Sequence, residues 1–247
     1  MREAGRINAM ALSAAEALLQ PGVSTADLNA AAEEVLQKHG CVSPFKGYGH
    51  PPFPASVTIS INEELVHGIP SKKRKLKAGD IVSLDCGTIL DGYVADSALT
   101  AGVGEIAPEA RALLDATHGA LCVGIEQMRP GNRTGDVSAA IQQYVESRGY
   151  HVTREYTGHG VGQDMHEGPQ VPNYGAAGSG VPLRPGMTIA IEPMVLVGTA
   201  ETRVLPDQWT VVSADVSLTA HFEHSVAVTD GEPLILTLRD HGEMLDG

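Results

Sequence analysis

The chain has 247 residues, which suits one large domain or two small ones and allows a sizeable buried core. Its net charge of -13 argues against wholesale binding of DNA or RNA, and no apolar run approaches the roughly 18 residues needed to span a bilayer. Cys41, Cys86 and Cys122 lack CxxC spacing, which argues against a disulfide scaffold or a zinc finger, and no secretory leader pattern opens the chain, so a cytoplasmic protein is expected.

Residues 1–19 predict a helix with Ala4, Ile7, Ala11, Ala14, Ala15 and Leu18 on one face, stopped by Pro21-Gly22. A second helix opens at Ser24-Thr25, with Asp27 near its third position. It carries Leu28, Ala31, Ala32, Val35 and Leu36 inward before Gly40. Residues 56–61 read as a strand. Residues 71–77 form a short basic run, Lys72, Lys73, Arg74, Lys75 and Lys77, which reads as a solvated loop and as a candidate contact for RNA phosphates.

Residues 80–96 read as two strands joined at Asp91-Gly92, a pair that supplies the positive φ angles of a tight hairpin turn. That turn sets Asp85 opposite Ala98 and Asp96 opposite Gly87, so the two acids become diagonal neighbours, about 5 to 8 Å apart at Cβ. Flanked by Ile81, Val82, Leu84, Ile89 and Val94, they are expected to be buried, where two carboxylates repel unless a cation lies between them.

The second half repeats the first. Pro130-Gly131, Thr134 and Asp136 match Pro21-Gly22, Thr25 and Asp27, and Val137, Ala140, Ile141, Tyr144, Val145 and Gly149 repeat the helix and its stop. Leu183, Gly186 and Glu192 match Leu76, Gly79 and Asp85, which puts Glu192 where Asp85 stands. Residues 188–194, 209–213 and 221–228 read as further strands of one central sheet. The expectation is an α+β fold, one catalytic domain over 1–247, made of two αβ units related by a pseudo-two-fold axis, roughly 1–110 and 111–247, with helices on the outer face. The glycine-rich stretch 174–180 precedes no helix pattern and reads as a loop.

His159 in Thr-Gly-His-Gly-Val-Gly, Glu192 in Ile-Glu-Pro-Met and Glu223 in Phe-Glu-His-Ser are polar groups in apolar or glycine-rich settings. With Asp85 and Asp96 they make an oxygen-rich set with one imidazole, enough for two divalent ions that share carboxylates. The order, spacing and surroundings of these five, including Leu-Asp-Cys-Gly and Ala-Asp-Ser, resemble type I methionine aminopeptidases over essentially the whole chain.

The resemblance implies the pita-bread fold, with a central antiparallel sheet covered by helices, and two divalent metal ions, for which the donor set suits cobalt, manganese, iron or zinc. It implies a monomer that removes the initiator methionine from nascent polypeptide N-termini when the second residue is small. Glu192 would move the proton as well as ligate metal, His166 would donate to the carbonyl oxygen, and His67 would hold the scissile amide nitrogen. The substrate's free α-amine would bind metal. Phe53, Thr58, Met165 and Trp209 would line the methionine pocket, joined by Tyr48 or His50. Asp207-Gln208-Trp209 replaces a more usual Asp-Gly-Trp, so a strained or rearranged turn is expected there. The rival readings are an X-Pro aminopeptidase or prolidase, whose relatives carry a large extra N-terminal domain, and a pita-bread peptide-binding protein that has lost its metal ligands.

Overall fold

A computed structural model describes residues 1–239; residues 240–247 lie outside the description. Apolar residues three and four apart build helix α1 (Arg2–Glu16), which buries Ala4, Ile7, Ala11, Leu12 and Ala15. Helix α2 (Thr25–Lys38) begins where Asp27 Oδ2 accepts from Ser24 N at 3.0 Å and Ser24 Oγ accepts from Asp27 N at 3.3 Å. Next come β1 (Val57–Ile61), β2 (Glu64–Val66) and the hairpin of β3 (Ile81–Leu90) and β4 (Tyr93–Gly102). Helices α3 (Pro108–Glu126) and α4 (Thr134–Glu146) follow. The rest is short strands: β5 (His151–Val152), β6 (Thr157–Gly160), β7 (Glu167–Pro172), β8 (Thr188–Ile191) and β9 (Met194–Leu196). Last in order are β10 (Thr202–Val204), β11 (Val211–Ser213), β12 (Thr219–His221), β13 (Glu223–Ala227) and β14 (Leu234–Ile235).

The central sheet runs β1-β3-β4-β13-β8-β6-β7, with β14 on β13, and its pairings are antiparallel. Helix α1 packs on β3 and β4, α2 on β1, α3 on β8 and β13, and α4 on β7. This is the pita-bread α+β architecture. Among the described residues, no helix is long and apolar enough to cross a membrane.

The repeat appears in matching hydrogen bonds. Thr25 N donates to Arg74 O at 3.0 Å as Thr134 N does to Val181 O at 2.9 Å. Each helix pair is thereby tied to the turn that feeds a site-bearing strand. The loop at 174–180 closes on the start of α4, where Gly178 N donates to Asp136 Oδ1 at 2.7 Å and Gly135 N to Ser179 O at 3.1 Å.

Three expectations need correction. Residues 188–194 are not one strand, because Pro193 has no N–H to continue the ladder and the chain passes from β8 to β9 in a different sheet. Likewise 221–228 divides at Phe222 into β12 and β13. The third concerns 209–213: β11 joins β2 and β10 in a separate three-stranded sheet, while β12, β9 and β5 form another. Helix α3, for which the sequence reading marks no element, buries Ala110, Leu113, Leu114, Ala120, Leu121 and Ile125.

A buried polar residue locks the first helix to the hairpin. Asn8 is fully buried; its amide donates to Cys86 O and, at 3.2 Å, to Thr88 Oγ1, while its oxygen accepts from Ser97 Oγ.

Candidate metal centre

Each acid of the candidate set arrives on a different piece of the sheet. Asp85 lies in β3 opposite Ala98, Asp96 lies in β4 opposite Gly87, and Glu223 opens β13, also opposite Ala98. His159 lies in β6, paired with Ala190 of β8, and Glu192 stands just past β8 before Pro193. Because β13 joins β4 to β8, the two halves of the repeat bring their acids to one cleft of about 500 Å³, which all five residues line.

The cluster is tight and largely buried. One ligand atom each from Asp96, His159 and Glu223 lie within 4.8 Å of one another, and His159 Nε2 is 3.5 Å from Glu192 Oε1. Thr58 Oγ1 is 3.5 Å from Asp85 Oδ2. Burial, reinforced by the charge of Asp96, pushes the Asp85 carboxyl well above its ordinary range. Burial also pushes up Asp96, and burial together with the neighbouring acids pushes up Glu192 and Glu223. The imidazoles move the other way: burial lowers His159 and His67 to about 4, so both are neutral at physiological pH.

Two observations test whether these residues suit a metal. Asp85 Oδ1, Asp96 Oδ1 and Glu223 Oε1 are buried without hydrogen-bond partners, an arrangement that costs several kcal/mol per charge unless a cation compensates it. His159 Nδ1 is 2.9 Å from Gly160 O, so Nδ1 carries the proton and the lone pair of Nε2 faces the acids. The donor set fits divalent cations.

Beside the acids lies an apolar slot. Phe45, Phe53 and Ala55 form a buried cluster with Ile69, Met165 and Trp209 packed on it, and the Phe53 and Trp209 rings meet edge to face at 5.2 Å. Phe53, Thr58, Met165 and Trp209 all line the cleft; of the two less defined positions, Tyr48 lines it and His50 does not. His67 and His166 line it too. His67 is held at φ 62 with its ring 5.7 Å from that of Tyr156 and 6.2 Å from that of Trp209. His166 sits with its ring 4.5 Å from that of His159, and burial lowers its pKa.

Sequence reasoning missed Phe45, Tyr156 and His221 as lining residues. His221 is buried, neither ring nitrogen has a partner, and Nε2 lies 3.8 Å from Glu192 Oε2 and 3.9 Å from Glu223 Oε2. Burial lowers its pKa to about 3. The available signal was its place two residues before Glu223, since alternate residues of an extended segment share a face.

A cleft of buried acids and imidazoles at the centre of a pita-bread sheet suits a metallopeptidase of this fold, and residues 1–230 match the model of metallopeptidase family M24. The chain belongs to that family. It is 52% identical over 238 residues to a methionine aminopeptidase of Clostridium acetobutylicum, covering 96% of this chain and 94% of that protein. The crystal structure of a methionine aminopeptidase from Thermotoga maritima superposes with a TM-score of 0.94 at 43% identity, covering 96% of this chain and 94% of the other. A prolidase from Pyrococcus furiosus shares the fold at a TM-score of 0.75 and 21% identity; the chain covers 63% of that longer protein.

Proposed function

We propose that this chain is a metallo-exopeptidase that removes the N-terminal methionine from nascent proteins and peptides whose second residue is small. The observation that carries the proposal is the joining, in one cleft, of the buried acid cluster with the apolar slot of Phe45, Phe53, Met165 and Trp209. A carboxylate-imidazole floor suits amide hydrolysis, and the slot beside it suits one unbranched apolar side chain. The 52% identity to a methionine aminopeptidase, at matching length, supports that specificity over the prolidase reading.

Asp85, Asp96, His159, Glu192 and Glu223 would hold two divalent cations, with cobalt, manganese, iron and zinc all compatible with the mixed oxygen and nitrogen donors. When bound, the cations supply Lewis acidity and bring the pKa of water toward neutrality. The protein's own groups do the rest. Glu192, beside the acids at the floor of the cleft, accepts the proton of the attacking water and passes it to the departing amide nitrogen. His166 donates from Nε2 to the carbonyl oxygen as charge gathers there. His67, neutral and wedged against Tyr156 and Trp209, holds the amide nitrogen in line.

The enzyme acts as a cytoplasmic monomer close to where new chains emerge. Lys72, Lys73, Arg74, Lys75 and Lys77 are all exposed, which supports a transient contact with ribosomal RNA phosphates, although Arg74 is 3.4 Å from Glu64 and Lys75 is 4.0 Å from Asp27. Co-sedimentation with ribosomes should fall when these five are neutralised; unchanged binding removes that partner.

The function is tested by loading purified protein with each divalent ion and comparing cleavage of Met-Ala-Ser with that of an X-Pro peptide. Preferential release of methionine is expected. Preference for the X-Pro peptide would make the prolidase reading correct, and cleavage of neither would favour a peptide-binding protein.

A further inference from the structure

A histidine that donates through Nε2 must carry its proton there, and a neutral imidazole carries only one. What stands at Nδ1 therefore decides whether His166 is competent. The Tyr48 hydroxyl lies 3.0 Å from His166 Nδ1, and the two rings meet edge to face at 5.6 Å. A phenolic O–H is a good donor to a neutral ring nitrogen, and a ring that accepts at Nδ1 presents N–H at Nε2.

Tyr48 does not reach this position on a loose loop. Tyr48 N donates to Phe45 O at 2.9 Å, Phe53 N to Tyr48 O at 2.8 Å and Gly47 N to Phe53 O at 2.8 Å, so residues 45–53 close on themselves. Trp209 Nε1 pins the loop from outside by donating to Pro51 O at 2.9 Å. Gly49, at φ +73, leaves room for the same indole; a Cβ there would lie 2.6 Å from Trp209 Cη2. The loop's two ends, Phe45 and Phe53, are walls of the apolar slot.

We propose that Tyr48 is a positioning residue: its hydroxyl donates to Nδ1 of His166 and fixes the tautomer and ring orientation in which Nε2–H faces the scissile carbonyl. The inference rests on the aminopeptidase reading above. It adds that the wall of the methionine slot and the oxyanion donor form one mechanical unit, so that a slot filled by methionine steadies the donor. Substrates that leave the slot empty lose turnover as well as affinity.

The test compares wild type, Tyr48→Phe, His166→Ala and the double variant, each as full-length, cation-loaded enzyme cleaving Met-Ala-Ser. Tyr48→Phe keeps the ring and its packing. Loss of one orienting hydrogen bond is expected to lower kcat by about 3- to 10-fold and to change KM by less than about twofold. In the His166→Ala background the same substitution is expected to change nothing. ¹⁵N spectra of histidine-labelled protein supply the direct readout: His166 should show an acceptor-type Nδ1 in wild type and a mixture of tautomers in Tyr48→Phe. An unchanged kcat, an equal loss in both backgrounds, a rise confined to KM, or identical ¹⁵N tautomer signals would each overturn the proposal. If wild type cleaves no methionyl peptide, the functional reading fails, while the ¹⁵N comparison still decides the role of Tyr48.

Discussion

Asp85 and Asp96 stand diagonally across the β3–β4 hairpin, Asp85 opposite Ala98 and Asp96 opposite Gly87, on one buried face. Two acids so placed, with Glu192 and Glu223 beside them, resist full ionisation without a counter-charge.

Chelation is therefore expected to abolish activity and lower the thermal midpoint, and divalent cations should restore both. Asp96→Asn should lose bound metal, measured by elemental analysis, far more than it loses helical signal. The metal-free protein also has a predictable pH response. The raised carboxyl groups, with Asp96 pushed to about 7, bind protons more tightly folded than unfolded. Their stabilisation is complete below the unfolded carboxylate range of about 4 and is lost as pH rises through the folded values. Burial lowers His67 and His159 to about 4 and His221 to about 3, which costs stability as pH falls below the unfolded histidine value of about 6.5. Calorimetry on metal-free protein should show the midpoint falling as pH rises through about 7, and levelling below about 6.5, where the two effects oppose. A midpoint that climbs as pH rises through about 7 would show that burial does not hold these acids protonated.

Asn8 offers a stability test remote from the cleft's contents. Asn8→Ala removes the side-chain donor to Cys86 O and Thr88 Oγ1 and the acceptor of Ser97 Oγ, buried hydrogen bonds worth about 0.5 to 1.5 kcal/mol each. A loss of about 2 to 4 kcal/mol in urea unfolding is expected. Because Asn8 bonds to both strands of the hairpin, metal affinity should weaken as well. A loss under about 1 kcal/mol would mean that water or a neighbour replaces the amide.

Gln208 bears out the strain expected at its turn. It sits at φ 67 while Asp207 Oδ1 accepts from Trp209 N at 2.9 Å and Thr210 N at 2.8 Å, bonds that hold the turn in the left-handed region. Gln208→Gly is expected to stabilise the protein by about 0.5 to 1 kcal/mol, since relief of the side-chain clash exceeds the added freedom of the unfolded chain. Differential scanning calorimetry checks this, and a lowered midpoint would show that the glutamine side chain holds the turn.

How much of this was legible follows from which physics is local. The Asp91-Gly92 turn fixes hairpin register within a few residues, so the pairing of Asp85 with Ala98 could be read directly. The repeat was legible because equal turns recur in equal order. Sheet membership was not, since period-two patterning tells that residues 209–213 extend but not that they pair with β2. Phe45 belongs to a loop closed by backbone hydrogen bonds, which leave no side-chain periodicity to read, and for the same reason Tyr48 could be named only as an alternative to His50. His221 was legible from its place two residues before Glu223 in a segment read as extended. Helix α3 carries a regular apolar stripe of Ala110, Leu113, Leu114, Ala120, Leu121 and Ile125, a signal present in the sequence.

The last prediction concerns which peptides are trimmed, and it follows from the cleft's two walls. A methionine side chain in the slot of Phe45, Phe53, Met165 and Trp209 gains about 1.5 to 3 kcal/mol from apolar burial, so the first residue is chosen by shape. In the proposed binding mode the second residue lies beside His67, whose ring meets those of Tyr156 and Trp209 edge to face, so that side of the cleft is expected to yield little. A bulky side chain there must push the scissile carbonyl away from the acids, and a displacement of about 1 Å costs on the order of 10²-fold in rate. Met-Ala, Met-Gly and Met-Ser peptides should therefore be cut well, and Met-Leu, Met-Lys and Met-Phe poorly. N-formyl-Met-Ala should resist, because formylation removes the basic amine that the family resemblance assigns to metal. Values of kcat/KM across the series check the argument: equal rates for Met-Ala and Met-Phe would show that His67 and its neighbours yield to the second side chain, and efficient cleavage of the formylated peptide would show that the amine is not what anchors the substrate.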